Sequence, residues 1–378
     1  MATARDRVLA ALDHKEPDRV PLCLGASGAS VTDAVYFALK THFGIEGDVE
    51  PFRSGHGDNI YDPRVFDKMG CDFRHVFLKS SLAYKAPVLP DGSTVNEWGV
   101  AVKKVGIFNE WVSHPLQHAS LADLDSYPWP KPYEGQRDRG LKQTTLDYYE
   151  NTGFAIATRS PSRGLFDLAI QLRGFSEFAL DLYTNRRFAS VLLGKINEVL
   201  MAFYDVLLDD TGPYVHIVET QDDMGHQNGP FFSPKTFREF FKPLRRELNA
   251  FIGRKAPNAR IYLHSCGAVS EFIDDLIDCG IQVLNPVQPL ARGMDTTTLK
   301  QRYGAALTFH GAIDLQRALA GTPEDVEREV KTRVRDLAPG GGYILSPANV
   351  VQADVPVSNL ILLFDLARRY GAYPISVG

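Results

Sequence analysis

Short apolar runs alternate with longer helical patterns along the 378-residue chain. Several of these runs are bounded by glycine or proline, as expected for strands that are covered on both faces. We place strands at residues 20–25, 71–78, 154–159, 214–220, 260–265, 282–286, 307–311 and 343–346. The helical stretches at 234–252 and 323–337 each begin with a proline in the first turn. This pattern predicts an α/β fold, a single (β/α)8 TIM-type barrel over residues 1–378. A doubly wound open sheet is the alternative.

One region interrupts the alternation of strands and helices. Residues 80–112 have the pattern of antiparallel strands, in which Asp91-Gly92 forms a hairpin turn between 84–89 and 94–102. We therefore predict a β-hairpin insertion near residues 80–112, close to the mouth of the barrel. Its aromatic residues, among them Trp98 and Trp111, predict an exposed surface for a lid, a second subunit or a partner protein.

Composition excludes several classes of protein. Hydrophobic residues make up 44% of the chain, and the formal net charge of −5 gives no bulk attraction to nucleic acid or to an anionic membrane. No apolar stretch approaches the roughly 20 residues of a membrane span, and the first residues lack a signal-peptide core. The four cysteines are too widely spaced for a disulfide framework. We expect a cytoplasmic homodimer that acts on a small molecule.

In a barrel of this kind the active site lies at the carboxyl ends of the strands. His264 and Cys266 stand two residues apart at the end of an apolar strand, so both side chains point the same way. An imidazole and a thiolate on one side form half of a tetrahedral zinc site, and Gly267 allows the backbone to turn and expose them. The alternative interpretation is a buried histidine beside a small core cysteine.

Three carboxylates follow another strand within five residues: Glu219, Asp222 and Asp223. They predict a third metal ligand, a ligand-orienting group or a general base. A solvated loop with a helix-capping aspartate is the alternative, and it suits Asp223 better than Glu219. We therefore choose Glu219 as the third metal ligand and both Glu219 and Asp222 as catalytic candidates. His226 is a further possible ligand.

Other polar residues also follow predicted strands. His310 is a third catalytic candidate, although it suits a core position equally well. Asn349, Gln352 and Gln288 carry carboxamides that read the donor and acceptor edges of a polar substrate. Arg159 is a candidate for holding a substrate carboxylate or phosphate.

Five motifs occur together along the chain. They are the run at 7–21, Leu-His-Ser-Cys-Gly at 263–267, Asn-Pro-Val-Gln at 285–288, Gly-Ala-Ile-Asp at 311–314 and Gly-Gly-Tyr-Ile-Leu-Ser at 341–346. In these motifs the chain resembles the uroporphyrinogen decarboxylase superfamily, whose members are single (β/α)8 barrels. The resemblance extends over nearly the full length.

The resemblance implies one of two chemistries. Corrinoid-dependent methyltransferases of the superfamily bind zinc through a His-x-Cys pair, which His264 and Cys266 match, and a distant cysteine, whose place Asn349 takes here. Methyl transfer therefore implies zinc as cofactor, a corrinoid as co-substrate, a corrinoid-carrying protein as partner, and a thiol, pterin or aryl methyl ether as the other substrate.

The decarboxylases of the superfamily resemble one another in an arginine-rich segment after the first strand. Here that segment, residues 25–30, contains no arginine. Decarboxylation of a tetrapyrrole-like or aromatic substrate is therefore the alternative to methyl transfer. A catalytically inactive ligand-binding barrel is the second alternative.

Overall fold

Parallel strands form the centre of the protein, which a computed structural model describes for residues 2–106 and 108–376. The strands of this described part are β1 Phe73–Val76, β2 Thr94–Val95, β3 Ala101–Val105, β4 Phe108–Trp111, β5 Ala155–Thr158, β6 Ile217–Gln221, β7 Gly225–His226, β8 Gly229–Pro230, β9 Arg260–His264, β10 Val283–Asn285, β11 Thr308–Ile313 and β12 Tyr343–Pro347. The central sheet has the order β1-β5-β6-β9-β10-β11-β12, and all of its neighbours are parallel. This order follows the chain, as in a barrel built from successive strand–helix units.

An eighth segment, residues 20–24, lies between the two edge strands of this sheet. On one side, the amide of Leu345 donates to the carbonyl of Pro21 over 2.9 Å. On the other side, the amide of Asp72 donates to the carbonyl of Leu22 over 2.8 Å. These bonds close the sheet on itself, so the predicted (β/α)8 barrel is confirmed and the open sheet is wrong.

Helices cover the outside of the barrel. They are α1 Ala4–Leu12, α2 Asp33–His42, α3 Pro63–Met69, α4 Asp123–Ser126, α5 Leu141–Asn151, α6 Leu165–Arg173, α7 Phe175–Thr184, α8 Arg186–Asp209, α9 Pro234–Thr236, α10 Lys242–Lys255, α11 Ile273–Asp278, α12 Thr296–Tyr303, α13 Pro323–Leu337 and α14 Val357–Tyr370. Short π-helical turns span Phe237–Phe241 and Leu315–Leu319, and a 3₁₀ turn spans Ser270–Phe272. Among the helices of the described residues, none combines the length and apolar character that crossing a membrane requires.

The ends of these helices follow local sequence signals. Helix α13 begins after Thr322, whose side chain accepts from the amide of Asp325, and the Asp325 side chain in return accepts from the amide of Thr322. Pro323 occupies the first turn, where its missing N–H costs nothing. The predicted helix at 323–337 is confirmed by the bounds of α13, and these contacts explain where it begins.

The predicted insertion is an antiparallel sheet of β2, β3 and β4. The turn at Asp91-Gly92 is present, because the amide of Leu89 donates to the carbonyl of Ser93 over 2.8 Å. The continuous strand predicted at 94–102 is wrong. The chain turns between β2 and β3, where the amide of Asn96 donates to the carbonyl of Val100 over 2.9 Å.

The insertion does not expose all of its aromatic residues. Trp98 is only 6% exposed and packs edge-on against Trp129, so its predicted role on an exposed surface is wrong. Trp111 is half-buried at the end of β4. The Asn109 side chain donates to the carbonyl of Gly55 over 2.9 Å, which attaches the insertion to the loop between α2 and α3.

Candidate functional site

Three potential metal ligands meet at the carboxyl ends of β6 and β9. Nε2 of His264 lies 3.4 Å from Sγ of Cys266 and 3.5 Å from Oδ1 of Asp223. One ligand atom from each of the three lies within 4.8 Å of the other two. An imidazole, a thiolate and a carboxylate form a donor set that zinc accepts. We call these three residues the ligand cluster.

The backbone around Cys266 holds the ligand cluster together. The amide of Cys266 donates to Oδ1 of Asp223 over 2.8 Å, which links the loop after β9 to the loop after β6. Gly267 has a φ of +80°, and a Cβ there would lie 2.5 Å from the carbonyl carbon of Gly225. Glycine is therefore required for the turn that brings the two loops into contact.

Asn285 determines which nitrogen of His264 is available to a metal. The Asn285 amide nitrogen donates to the carbonyl of His310 over 3.2 Å and lies 2.8 Å from Nδ1 of the same residue. Its Oδ1 consequently faces Nδ1 of His264, at 2.6 Å. Because this oxygen can only accept, Nδ1 of His264 carries the proton and Nε2 keeps its lone pair toward Cys266. Metal-binding histidines have this arrangement of their second nitrogen.

Two of the predicted carboxamides contact the thiol of the ligand cluster. Nδ2 of Asn349 lies 3.3 Å from Sγ of Cys266, and Nε2 of Gln288 lies 3.7 Å from it. Oε1 of Gln288 also accepts from the amide of Gly267 over 2.8 Å. Burial raises the pKa of Cys266 well above its ordinary value, nearby Asp223 adds to the effect, and Asn349 opposes it.

Glu219 lies within β6 and has partners other than the ligand cluster. One carboxylate oxygen accepts from the amide of Ser27 over 2.6 Å, and the other lies 3.4 Å from Nε2 of His75. Glu219 belongs to the strand, whereas Asp223 follows its end, and this difference determines which carboxylate reaches His264. We predicted Glu219 as the third ligand. The structure instead places Asp223 beside the His264–Cys266 pair.

Asp222 is fully buried between structural partners. It pairs with the guanidinium of Arg245 over 2.6 Å and accepts from the amides of Phe166 and Asp167 at the start of α6. It therefore caps α6 from outside that helix, which stabilises the unpaired N–H groups of the first turn. We predicted Asp222 as a catalytic candidate. Its contacts in the structure support a structural role.

Asp167 is a buried carboxyl that the sequence did not single out. It accepts from the amide of Asp223 over 3.2 Å. Burial raises the pKa of Asp167 well above its ordinary value, and the charge of Asp223 raises it further. An acidic residue in the first turn of a helix is commonplace, so nothing in the sequence set Asp167 apart.

The remaining candidates lie in three different environments. His310 is buried, with its ring edge-on to Tyr262 at a centroid distance of 5.3 Å. Arg159 is buried and pairs with Asp58 over 2.7 Å. Gln352 is half-buried in the segment between β12 and α14, and within the described residues its side chain forms no hydrogen bond with the ligand cluster.

His310 is expected to make stability depend on pH. Burial, together with the nearby His75 and His264, lowers its pKa to about 3. Between this value and the ordinary one of about 6.5, the unfolded chain binds one more proton, so stability falls as the pH falls. We expect wild-type protein to lose about 2 kcal/mol more than His310→Asn between neutral pH and about pH 5. Urea unfolding at both pH values measures this difference, and equal losses in the two proteins would contradict the prediction.

Comparison with known proteins gives a match to one family model and similarity to both a decarboxylase and a methyltransferase. The family model "Uroporphyrinogen decarboxylase (URO-D)" matches residues 155–370. The chain is 23% identical over 203 residues to uroporphyrinogen decarboxylase of Mannheimia succiniciproducens, covering 52% of this chain and 53% of that protein. It is 26% identical over 140 residues to the methylcobamide:CoM methyltransferase MtaA of Methanosarcina barkeri, covering 37% of this chain and 38% of that protein. The chain thus spans about half the length of these relatives or less.

A solved structure resembles nearly the whole chain. This structure, a methyltransferase from Methanosarcina mazei, superposes with a TM-score of 0.67 at 18% sequence identity. The match covers 98% of this chain and 99% of that one. The likeness supports the closed barrel described above.

Proposed function

Since the chain belongs to the uroporphyrinogen decarboxylase family, we propose that it transfers a methyl group to or from a corrinoid and binds zinc for this reaction. The observation that carries the proposal is the ligand cluster, in which Nε2 of His264 faces Sγ of Cys266 and Oδ1 of Asp223. The similarity of part of the chain to a methylcobamide:CoM methyltransferase supports it.

The residues of the ligand cluster fit a catalytic zinc ion. Catalytic zinc sites commonly use three protein ligands and leave a further position for water or substrate. His264, Cys266 and Asp223 supply nitrogen, sulfur and oxygen donors. Asn349, which by the resemblance stands at about the place of the distant cysteine of such methyltransferases, contacts the thiol of Cys266. Because Asn349 has no thiolate to offer, Asp223 provides the third ligand instead.

Zinc, when bound, supplies Lewis-acid activation of a thiol or of an ether oxygen. The chain's own residues prepare the site for it. Asn285 holds the proton of His264 on Nδ1, and the amide N–H groups of Asn349 and Gln288 point toward Cys266 and favour its thiolate. A corrinoid, free or bound to a carrier protein, is the second participant, and a small methyl donor or acceptor is the third.

Decarboxylation is the second candidate, because the chain is also similar to a uroporphyrinogen decarboxylase. Residues 25–30 lie at the mouth of the barrel, and the amide of Ser27 and the backbone at Gly28 contact the barrel interior there. This segment carries no positive side chain with which to hold a polycarboxylate. We favour methyl transfer because the ligand cluster of His264, Cys266 and Asp223 has the donors of a zinc site.

Metal analysis tests the proposal directly. Protein purified without chelator is expected to contain about one zinc ion per chain, and His264→Ala and Cys266→Ala are expected to lose it. Cys279→Ala is the matched control, because Cys279 contacts Lys242 at the end of α11, outside the ligand cluster. Zinc retained in Cys266→Ala, or absent from the wild type, would contradict the metal site.

The corrinoid reaction needs a separate assay. Demethylation of methylcobalamin by a thiol is followed through the change in cobalamin absorbance, with wild-type protein and with Cys266→Ala. We expect the wild-type protein to accelerate the reaction and Cys266→Ala not to accelerate it. Zinc binding without any effect on methylcobalamin would exclude a free corrinoid with a thiol acceptor and redirect the assay to carrier-bound corrinoid.

A further inference from the structure

Three arginines gather at the mouth of the barrel beside the ligand cluster. Arg53 lies in the loop between α2 and α3, whereas Arg159 and Arg163 lie in the loop that joins β5 to α6. We call these three residues the arginine cluster. Of these three, the sequence predicts a ligand-binding role for Arg159, whereas Arg53 belongs to a distant part of the chain.

One carboxylate positions two of these guanidinium groups. Nη2 of Arg159 donates to Oδ2 of Asp58 over 2.7 Å, and Arg53 pairs with the other oxygen of the same carboxylate. The hydroxyl of Ser30 also donates to Oδ2, over 2.7 Å. The ring of Phe52 holds both guanidiniums, whose carbon atoms lie 4.8 and 5.0 Å from its centroid. The two groups are thus fixed in place before any ligand arrives.

The third guanidinium has no ion pair with any residue in the described ranges. Arg163 instead lies over the ring of Trp111, 5.8 Å from its centroid, where the insertion reaches the mouth of the barrel. With Asp58 as the shared counter-ion, the arginine cluster carries two positive charges in excess. Burial, aided by the charges of Arg159 and Arg163 and opposed by Asp58, lowers the pKa of Arg53 to about 10.

Within the described residues, Asp167 forms no ion pair with Arg163, and its side chain accepts from the amide of Asp223 over 3.2 Å. Guanidinium groups that are held in place, partly buried and short of anions form a binding site for an oxyanion.

The arginine cluster is connected to the ligand cluster through two short loops. The amide of Ser160 donates to the hydroxyl of Ser27 over 2.9 Å, and the side chain of Gln221 donates to the carbonyl of Ser162 over 3.0 Å. Gly28, next to Ser27, packs against the ring of His264. A molecule held at the arginine cluster would therefore lie beside the proposed metal site.

We propose that the arginine cluster binds an oxyanion group, a carboxylate or a phosphate, of a molecule that takes part in the methyl transfer. The proposal rests on the proposed function for the identity of the reaction, but the binding site itself does not depend on it. The forked guanidinium of Arg163 supplies the unpaired donors, and Arg53 and Arg159 supply charge that Asp58 has oriented. The methyl donor or acceptor is then an organic anion, or the corrinoid is held through a phosphate.

Calorimetric titration of the full chain at low ionic strength tests this site without zinc or corrinoid. The probes are acetate and inorganic phosphate. We expect wild-type protein to bind at least one of them, and Arg163→Gln to bind it about tenfold more weakly, because a charge-assisted pair is lost. Arg163→Lys keeps the charge but loses the fork, so its affinity should be intermediate. Arg187→Gln, an exposed arginine of α8, is the control and should bind as the wild type does.

The outcomes separate the two proposals. Preference for acetate supports a carboxylate on the small substrate, and preference for phosphate supports a phosphate-bearing partner. Absence of binding to wild-type protein, or equal binding to Arg163→Gln, overturns the oxyanion site. If zinc is absent from the protein while Arg163-dependent binding persists, the proposed metal chemistry fails and the oxyanion site stands.

Discussion

Replacing Asp222 with alanine is expected to lower the free energy of unfolding by about 3–5 kcal/mol. The substitution leaves the guanidinium of Arg245, which is 2% exposed, buried without its carboxylate. It also removes the acceptor for the amides of Phe166 and Asp167 at the start of α6. Both losses follow from desolvation, because a buried charge or N–H group without a partner cannot recover its hydration. Urea unfolding followed by circular dichroism measures the change.

Two further variants identify the cause of this loss. Asp274→Ala breaks the exposed pair with Arg302, whose side chains are 67% and 63% exposed, and it should change stability by less than about 1 kcal/mol. The double replacement Asp222→Leu with Arg245→Met removes both charges and should recover part of the loss. If Asp222→Ala instead unfolds like the wild type and loses only activity, Asp222 is a catalytic residue and its structural role is refuted.

Replacing Gly28 with alanine is expected to displace His264 and weaken zinc binding by at least tenfold. A Cβ at this position would lie 2.1 Å from Cε1 of the His264 ring, far inside contact distance. The ring is fixed on its other side by Asn285, so relieving the overlap requires either this hydrogen bond to break or residues 25–30 to move. Overpacking of this kind costs about 1–3 kcal/mol of stability in addition.

Gly47→Ala is the matched control for this substitution. Gly47 has a φ of +71°, close to the +68° of Gly28, and no atom lies within 4 Å of the position that its Cβ would take. It therefore carries the same left-handed backbone strain, about 1–2 kcal/mol, without the overlap. Zinc content and urea unfolding are measured for both variants. Equal effects of the two substitutions would show that backbone strain, and not contact with His264, is responsible.

The barrel could be predicted from the sequence because its signals are local. Each buried parallel strand is a short apolar run. The glycine, proline or polar residue that ends each run can be read directly from the sequence. The insertion was harder to predict. Its strands are two to five residues long, and the turn from Asn96 to Val100 interrupts what looked like one strand.

The site was only partly predictable, because its geometry depends on contacts between distant segments. His264 and Cys266 share a side of one strand, so their proximity follows from the period of a strand. The choice between Glu219 and Asp223 depends on where β6 ends, and the hydrogen bond from Cys266 to Asp223 comes from the neighbouring strand. The position of Asp167 beside Asp223 could not be predicted, because it depends on how α6 packs against the loop after β6.

The closure of the barrel by residues 20–24 has a consequence for how the protein is made. Residues 20–24 are fairly close to β1 along the chain. Their other neighbour, β12, is the last of the described strands to be synthesised. Contacts between such distant segments form slowly, because a long loop must close first. Residues 20–24 can therefore complete both of their pairings only after residue 347 has been synthesised, and until then one of their edges is open to association with another chain.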